Sequence, residues 1–343
     1  MPKIGIRLHG GMDPQRCIDL AKLAEANNFA SVWFAENPFE RGILPIAGGC
    51  ACATKQIGIG IGVWNPYNRH PTLIAMEIGS LDALANGRAS LGIGSGLASA
   101  MQRLGIDSKK SLSALRDTFH IVRGLLQGDE ITHPGAVFSI QGVKLGYSPR
   151  SDISLLMAAR GEKALRLCGQ IADGLVVSNM CPPGFTAHAV ATARSSAKEV
   201  GRMFPANVIQ YVPCIVRPDG AEARDAIKQP LGPMVRQYWA LAQKVPAAMD
   251  SMVRYSNISA EDVATAAQRL ESGGRPQHVL DDRFVDAFTV AGSIDQCFDQ
   301  IALYERAGVS ELALTFLGDQ PVRDMEYFGR ALSRMAPDVK TKV

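Results

Sequence analysis

Residues 57–96 constrain this chain most. Two short uncharged runs, Ile57–Val63 and Ala89–Ile93, flank a helical stretch. Both runs are rich in Ile, Val, Leu and Gly, the composition of strands buried on both faces. Between them Leu73, Ile74, Ile78, Leu81 and Leu84 recur at helical spacing. The spacing predicts a helix that starts after Pro71-Thr72 and stops at Asn86-Gly87, where glycine suits a left-handed cap. Strands joined by a helical crossover pair in parallel, so the chain must fold around a parallel sheet. Gly62, Gly92, Gly94 and Gly96 cluster at the strand ends. Such glycines either let a flat ligand approach the backbone or fit tight turns and bulges. Neither run matches the dinucleotide fingerprint G-x-G-x-x-G.

The same rhythm runs through the chain. Strands are expected at Lys3–Leu8, Ser31–Ala35, Ile57–Val63, Ala89–Ile93, Ser154–Ala159, Gly174–Ser178, Val208–Val216 and Glu311–Phe316. Helices are expected from Asp13-Pro14 to Asn27-Asn28, where aspartate caps and proline opens the first turn. Others are expected from about Leu44 to Lys55, over Ser111–Gln127, from about Gly161, over Phe185–Val200, over Ser293–Ala307 and over Val322–Met335, with the last residues fraying. Residues 131–145 read as a hairpin around His133-Pro134-Gly135, outside the main sheet. Ala221 to Asp286 is irregular, with helical pieces at Val235–Lys244 and Ala260–Arg269. Eight strands alternating with helices favour a (β/α)8 TIM barrel over an open doubly wound sheet. Residues 1–343 are read as one barrel domain, with insertions after strand 4 (131–145) and strand 7 (about 230–290).

Hydrophobic residues make up 47% of the 343 and charged residues 20%, an ordinary globular balance. A net charge of +3 gives no argument for nucleic acid or an acidic membrane surface. The seven cysteines lack CxxC spacing, which argues against a disulfide framework or a zinc site. Free buried thiols and an N-terminus that runs straight into a strand, without a signal-peptide pattern, point to the cytoplasm. No stretch is long and apolar enough to span a bilayer, and the histidines show no metal spacing.

In this fold chemistry sits at the C-terminal ends of the strands. The candidates are therefore Arg7 and His9, Glu36 and Asn37, Gly62–Asn65, Gly94–Gly96, Ala159–Glu162, Ser178 and Asn179, Pro213–Val216, and Leu317-Gly318. Glycine followed by the free N–H groups of a helix start makes Ala159-Arg160-Gly161-Glu162 an anion site. Arg160 either adds charge there or is a solvated arginine at a helix start. Arg7 is too basic for a general acid. It either binds an anionic substrate or pairs with Glu36. His70 reads as a structural residue at a helix start.

Two stretches, GVWNPYNRHP followed by LDALANGRASLGIGSG, and AARGEKALRLCGQIADG, resemble the bacterial luciferase-like superfamily. The match is to its deazaflavin-dependent branch, typified by methylenetetrahydromethanopterin reductase, and it covers nearly the whole chain. The resemblance implies a barrel with an insertion, a homodimer, and coenzyme F420 lying across the barrel mouth. It implies a non-prolyl cis bond at Gly62–Val63 and a phosphate-holding turn at Ala159-Arg160-Gly161-Glu162. Asn65, Ser95, Gly96 and Asn179 complete the implied cofactor contacts. Glu36 and Asn37 take the catalytic positions, and Arg7 and His9 the substrate side. The implied reaction is hydride transfer between F420 and a small organic substrate. The alternatives are an FMN-dependent monooxygenase on the same barrel and a non-catalytic flavin-binding paralogue. The chain departs from the family pattern at Arg7, where the reductase has glutamate, and at Leu97, where relatives usually have an acid. It also has Glu36-Asn37 in place of the commoner Asp-His pair.

Overall fold

The computed structural model describes residues 1–204 and 207–335. Its parallel strands are β1 (Lys3–His9), β2 (Ser31–Ala35), β3 (Gly58–Trp64) and β4 (Ala89–Ile93). After an antiparallel hairpin of β5 (Ile131–Pro134) and β6 (Ser139–Val143) come β7 (Leu155–Ala158), β8 (Leu175–Val177) and β9 (Val208–Val216). A three-residue β10 (Val290–Gly292) and β11 (Glu311–Phe316) complete the set. The sheet order is β10-β9-β11-β1-β2-β3-β4-β7-β8, and pairing of β8 with β9 closes the ring. The result is a closed parallel barrel of eight strands, with β10 paired to the far end of β9.

Helices surround the ring and the main core lies between the two layers. Ile4, Ile6, Val32, Phe34, Ile59 and Ile61 pack outward against helical residues such as Ile74, Ile78, Leu115 and Phe119. The inward residues form a separate cluster of Trp33, Leu156, Val176, Ile209, Tyr211 and Ala313. This split follows from the two-residue period of a strand.

Local signals account for most helix ends. Asp13 caps the helix Pro14–Ala26 by accepting from the Arg16 N–H at 3.0 Å. The helix Pro71–Leu84 starts at His70, whose ring accepts from the Thr72 N–H, so His70 is a cap as expected. It ends before Asn86 and Gly87, both left-handed with φ of 51° and 80°.

Several elements differ from the sequence reading, among them the helices Pro246–Val253, Pro276–Val279 and Asp282–Phe288, which were not expected. The helix Gly220–Ala242 is continuous where only a piece near its end was expected. Pro230 and Pro233 lack the N–H that a helix interior uses; burial of Ile227, Leu231 and Val235 carries the helix through them. The short helix Ala98–Arg103 and the strand β10 were also not expected, being too short for a periodic pattern. The helices between β9 and β10 share a small core of their own, which includes Leu231, Val235, Met252 and Phe284 together with Met180. The expected fraying beyond Met335 lies outside the described residues. Among the described residues no helix is long and apolar enough to cross a membrane.

Candidate active site

The barrel interior is built in layers. At its floor, the Glu311 carboxylate accepts from the Ser31 hydroxyl and from Trp33 Nε1–H. Trp33 lies where a side chain on Gly60 would stand: a Cβ there would meet the indole at 2.4 Å. Above it, Tyr211 occupies the space beside Gly62, and its hydroxyl donates to the Gly62 carbonyl at 3.1 Å. The Arg7 guanidinium lies over the Tyr211 ring at 5.2 Å and forms the top layer.

The Gly62–Val63 peptide bond is cis, as the resemblance implies. Val63 is also the extra residue of a bulge, since Gly62 faces Gly92 while Trp64 faces Ile93. The Val63 side chain needs the space next to β4: a Cβ on Gly92 or Gly94 would meet it at 2.9 or 2.8 Å. A Cβ on Gly96, at φ +69°, would meet Asn65 Nδ2 at 2.3 Å. The glycines after β4 therefore make room for Val63 and Asn65. Asn65 itself is buried and occupied, accepting from the Tyr67 N–H at 2.9 Å and donating to Met101 Sδ. Ser95 is half-buried.

The polar rim differs from expectation. Glu36 does not pair with Arg7. Its carboxylate accepts from both terminal nitrogens of Arg69, at 3.0 and 3.3 Å, and Arg69 also reaches Glu77 at 2.6 Å. The planar guanidinium can serve two carboxylates while stacking at 4.7 Å on Trp64. Asn37 donates to Glu40 at 2.8 Å. His9 stands 3.6 Å from the same Glu40, and its Nδ1 accepts from the Gly11 N–H. Glu36 and Asn37 thus belong to two different networks.

Across the mouth, Gly161 caps the helix Glu162–Ile171 without a side-chain bond. A Cβ on Gly161 would meet only Ala247 Cβ, at 3.5 Å. The Glu162 and Lys163 N–H groups follow it, while the Ala164 N–H is taken by the Gly161 carbonyl at 2.9 Å. Ala159 leads into this turn half-buried, and the Glu162 side chain turns away to within 3.6 Å of His188. Arg160 is neither solvated nor turned to its own helix start. It donates to Ser251 at 2.7 Å, to Ser178 at 2.6 Å and to the Asn179 carbonyl at 3.1 Å, and lies 5.3 Å over Tyr238. The Asn179 side-chain oxygen is buried without a partner. Burial pushes the Tyr211 and Tyr238 phenols up, so both remain neutral hydroxyls.

Sequence reasoning missed Glu40, Arg69, Tyr211, Tyr238 and Ser251. Tyr211 sits mid-strand, where its inward face was the available signal. Tyr238 and Ser251 come from helices after β9, and nothing local ties them to the mouth.

These features define an α/β barrel with a bulged third strand facing, across the mouth, a helix start that no side chain caps. Residues 1–311 match the luciferase-like monooxygenase family. The chain belongs to that family. It is 28% identical to a 5,10-methylenetetrahydromethanopterin reductase of Methanolobus tindarius, over 85% of this chain and 87% of that protein. Identity to the enzyme of the same name from Archaeoglobus fulgidus is 27%, over 96% and 98%. The solved structure of the coenzyme F420-dependent tetrahydromethanopterin reductase from Methanopyrus kandleri superposes with a TM-score of 0.84 at 24% identity. It covers 96% of this chain and 97% of its own.

Proposed function

We propose that the chain is a coenzyme F420-dependent oxidoreductase of the methylenetetrahydromethanopterin reductase type, acting on a small organic substrate. The observation that carries this reading is the arrangement of the mouth: the Val63 bulge on one wall and the open Gly161 turn on another. The near full-length likeness to reductases of that name supports it.

The residues fit the cofactor. Gly161 leaves space where a phosphate would lie, and the N–H groups after it suit an anion. The unpartnered Asn179 oxygen is a free acceptor on the same side. Val63, set forward by its bulge, gives the ring a wall. Bound F420 supplies or takes up the hydride. The protein's work is to hold the reactants together and keep water out. Glu36 is held by Arg69, which it shares with Glu77, and positions the loop after β3. Proton handling falls to His9 and Glu40, which stand together with Asn37 at the rim.

We further infer one barrel domain over 1–343 that works in the cytoplasm as a homodimer. Leu73, Met76 and Leu84 on the helix Pro71–Leu84 are 40%, 48% and 54% exposed and form one apolar stripe, which a second copy would cover.

Titration with F420 and, separately, with FMN tests the cofactor assignment. F420 is expected to bind, and Gly161→Asp, which puts a carboxylate in the turn, is expected to weaken it at least about tenfold. Binding of FMN alone would move the assignment to the flavin monooxygenase. Binding of neither would remove the cofactor site.

A further inference from the structure

We propose that Arg7 is the receptor for a negatively charged group on the substrate, a carboxylate or similar oxyanion, so that this chain acts on an anionic small molecule. The inference rests on the barrel mouth being the reaction site.

Arg7 projects inward from β1 onto Tyr211, and the Tyr211 hydroxyl bonds the Gly62 carbonyl at the foot of the Val63 bulge. Among the described residues Arg7 has no ion pair, and its Nε is buried without a hydrogen-bond partner. That nitrogen is one prong of the guanidinium's side-on fork, which matches the two oxygens of a carboxylate. Arg7 as a whole is half-buried, and a guanidinium partly withdrawn from water favours a charged partner. The fold does not supply one. Glu36 is committed to Arg69, and Glu40 already serves Asn37 and His9. Burial pushes the Arg7 pKa down, with Tyr211, Tyr238 and Glu40 opposing, and the group still begins far above neutrality.

The anion is not the cofactor phosphate. From β1 the ring runs β2, β3, β4, β7 in one direction and β11, β9, β8, β7 in the other. β7, which leads into the Gly161 turn, is therefore the strand farthest from Arg7. The second arginine of the mouth, Arg160, is likewise held only by neutral oxygens. Among the described residues no carboxylate forms an ion pair with either arginine, and Glu40 acts on Arg7 only from beyond pairing distance. Tyr238 stacks under Arg160 and offers a neutral hydroxyl in the same space.

Calorimetric titration of the full chain with sodium benzoate and with inorganic phosphate, at constant ionic strength and with and without F420, tests this. Benzamide is the uncharged control. The wild type is expected to bind benzoate or phosphate saturably and to ignore benzamide. Arg7→Met is expected to weaken that binding at least about tenfold and leave the F420 affinity within about threefold, with Arg7→Lys intermediate. The ligand-free Met variant is expected to melt no lower than the wild type, because it loses a half-buried charge that makes no ion pair with the described residues. Equal anion binding by wild type and Arg7→Met, or binding by neither, would overturn the proposal. So would loss of F420 affinity in Arg7→Met, which would assign the anion to the cofactor. Arg7-dependent anion binding without any F420 binding would leave the substrate assignment standing and defeat the cofactor reading.

Discussion

Asp324 and Arg217 show how single charged residues are held at the C-terminal ends of β9 and β11. Arg217 pairs with Glu222 and Asp319, and Asp324 lies 3.9 Å from its Nε with one carboxylate oxygen buried and unbonded. Burial pushes the Asp324 carboxyl up to about 6, against the opposing pull of Arg217. A raised carboxyl pKa means that the folded state binds the proton more tightly than the unfolded chain does. Its penalty is therefore absent below about pH 4 and grows as pH rises through 6. Asp324→Asn is expected to raise stability at pH 7 to 8 by up to about 2–3 kcal/mol and to flatten the stability profile between pH 4 and 6. Denaturant melts across that range check both. At this scale the sequence reading was partial. Glu36 was visible as a strand-end carboxylate, but its partner Arg69 was not, because only the path of the loop after β3 brings the two together. Gly62 was legible as a special glycine. Its reason, the Tyr211 hydroxyl 1.6 Å from where a Cβ would stand, comes from a strand far along the chain.

At the scale of elements, the unit from β3 to β4 carries the resemblance, yet its most recognisable charged residues serve the architecture. Arg88 donates to the carbonyls of Ala51, Thr54, Ile57 and Ala85. It ties the ends of two helices to the start of β3. Asp82, almost fully buried, accepts from Arg150 and from the Ala89 N–H that opens β4. Arg88→Ala is expected to cost about 3–5 kcal/mol, because several buried carbonyls lose charge-assisted donors at once. Lysine, a point donor without the fork, should recover only part of this; chemical denaturation of the three proteins measures it. Eight strands and most helices were legible because each buries one face with a period its sequence displays. Boundaries shifted by a residue or two. The helix Gly220–Ala242 was not legible, since two prolines argue locally against a helix that long-range burial enforces.

At the scale of the molecule, closure of the ring decides the site. Pairing β8 and β11 to either side of β9 brings Arg7, Tyr211 and Gly62 into one stack and sets Gly161 across from them. The exposed stripe of Leu73, Met76 and Leu84 lies outside the ring. If it is the dimer face, Met76→Glu with Leu84→Glu should halve the mass seen by light scattering and leave F420 binding within about twofold. An unchanged mass would move the interface elsewhere.

The sequence by itself determined the barrel, the family and the strand ends that meet at the mouth. Those are set by local quantities: hydrophobic period, caps, and glycines at strand ends. Which charges meet was decided only by the tertiary structure. Arg69 rather than Arg7 pairs with Glu36, Arg160 turns to Ser178 and Ser251, and Arg7 is left facing the mouth without an ion pair among the described residues. Ion pairing depends on separations of a few ångströms between residues distant in the chain. Periodicity fixes the face from which a side chain leaves, and only the closed ring fixes what it finds there.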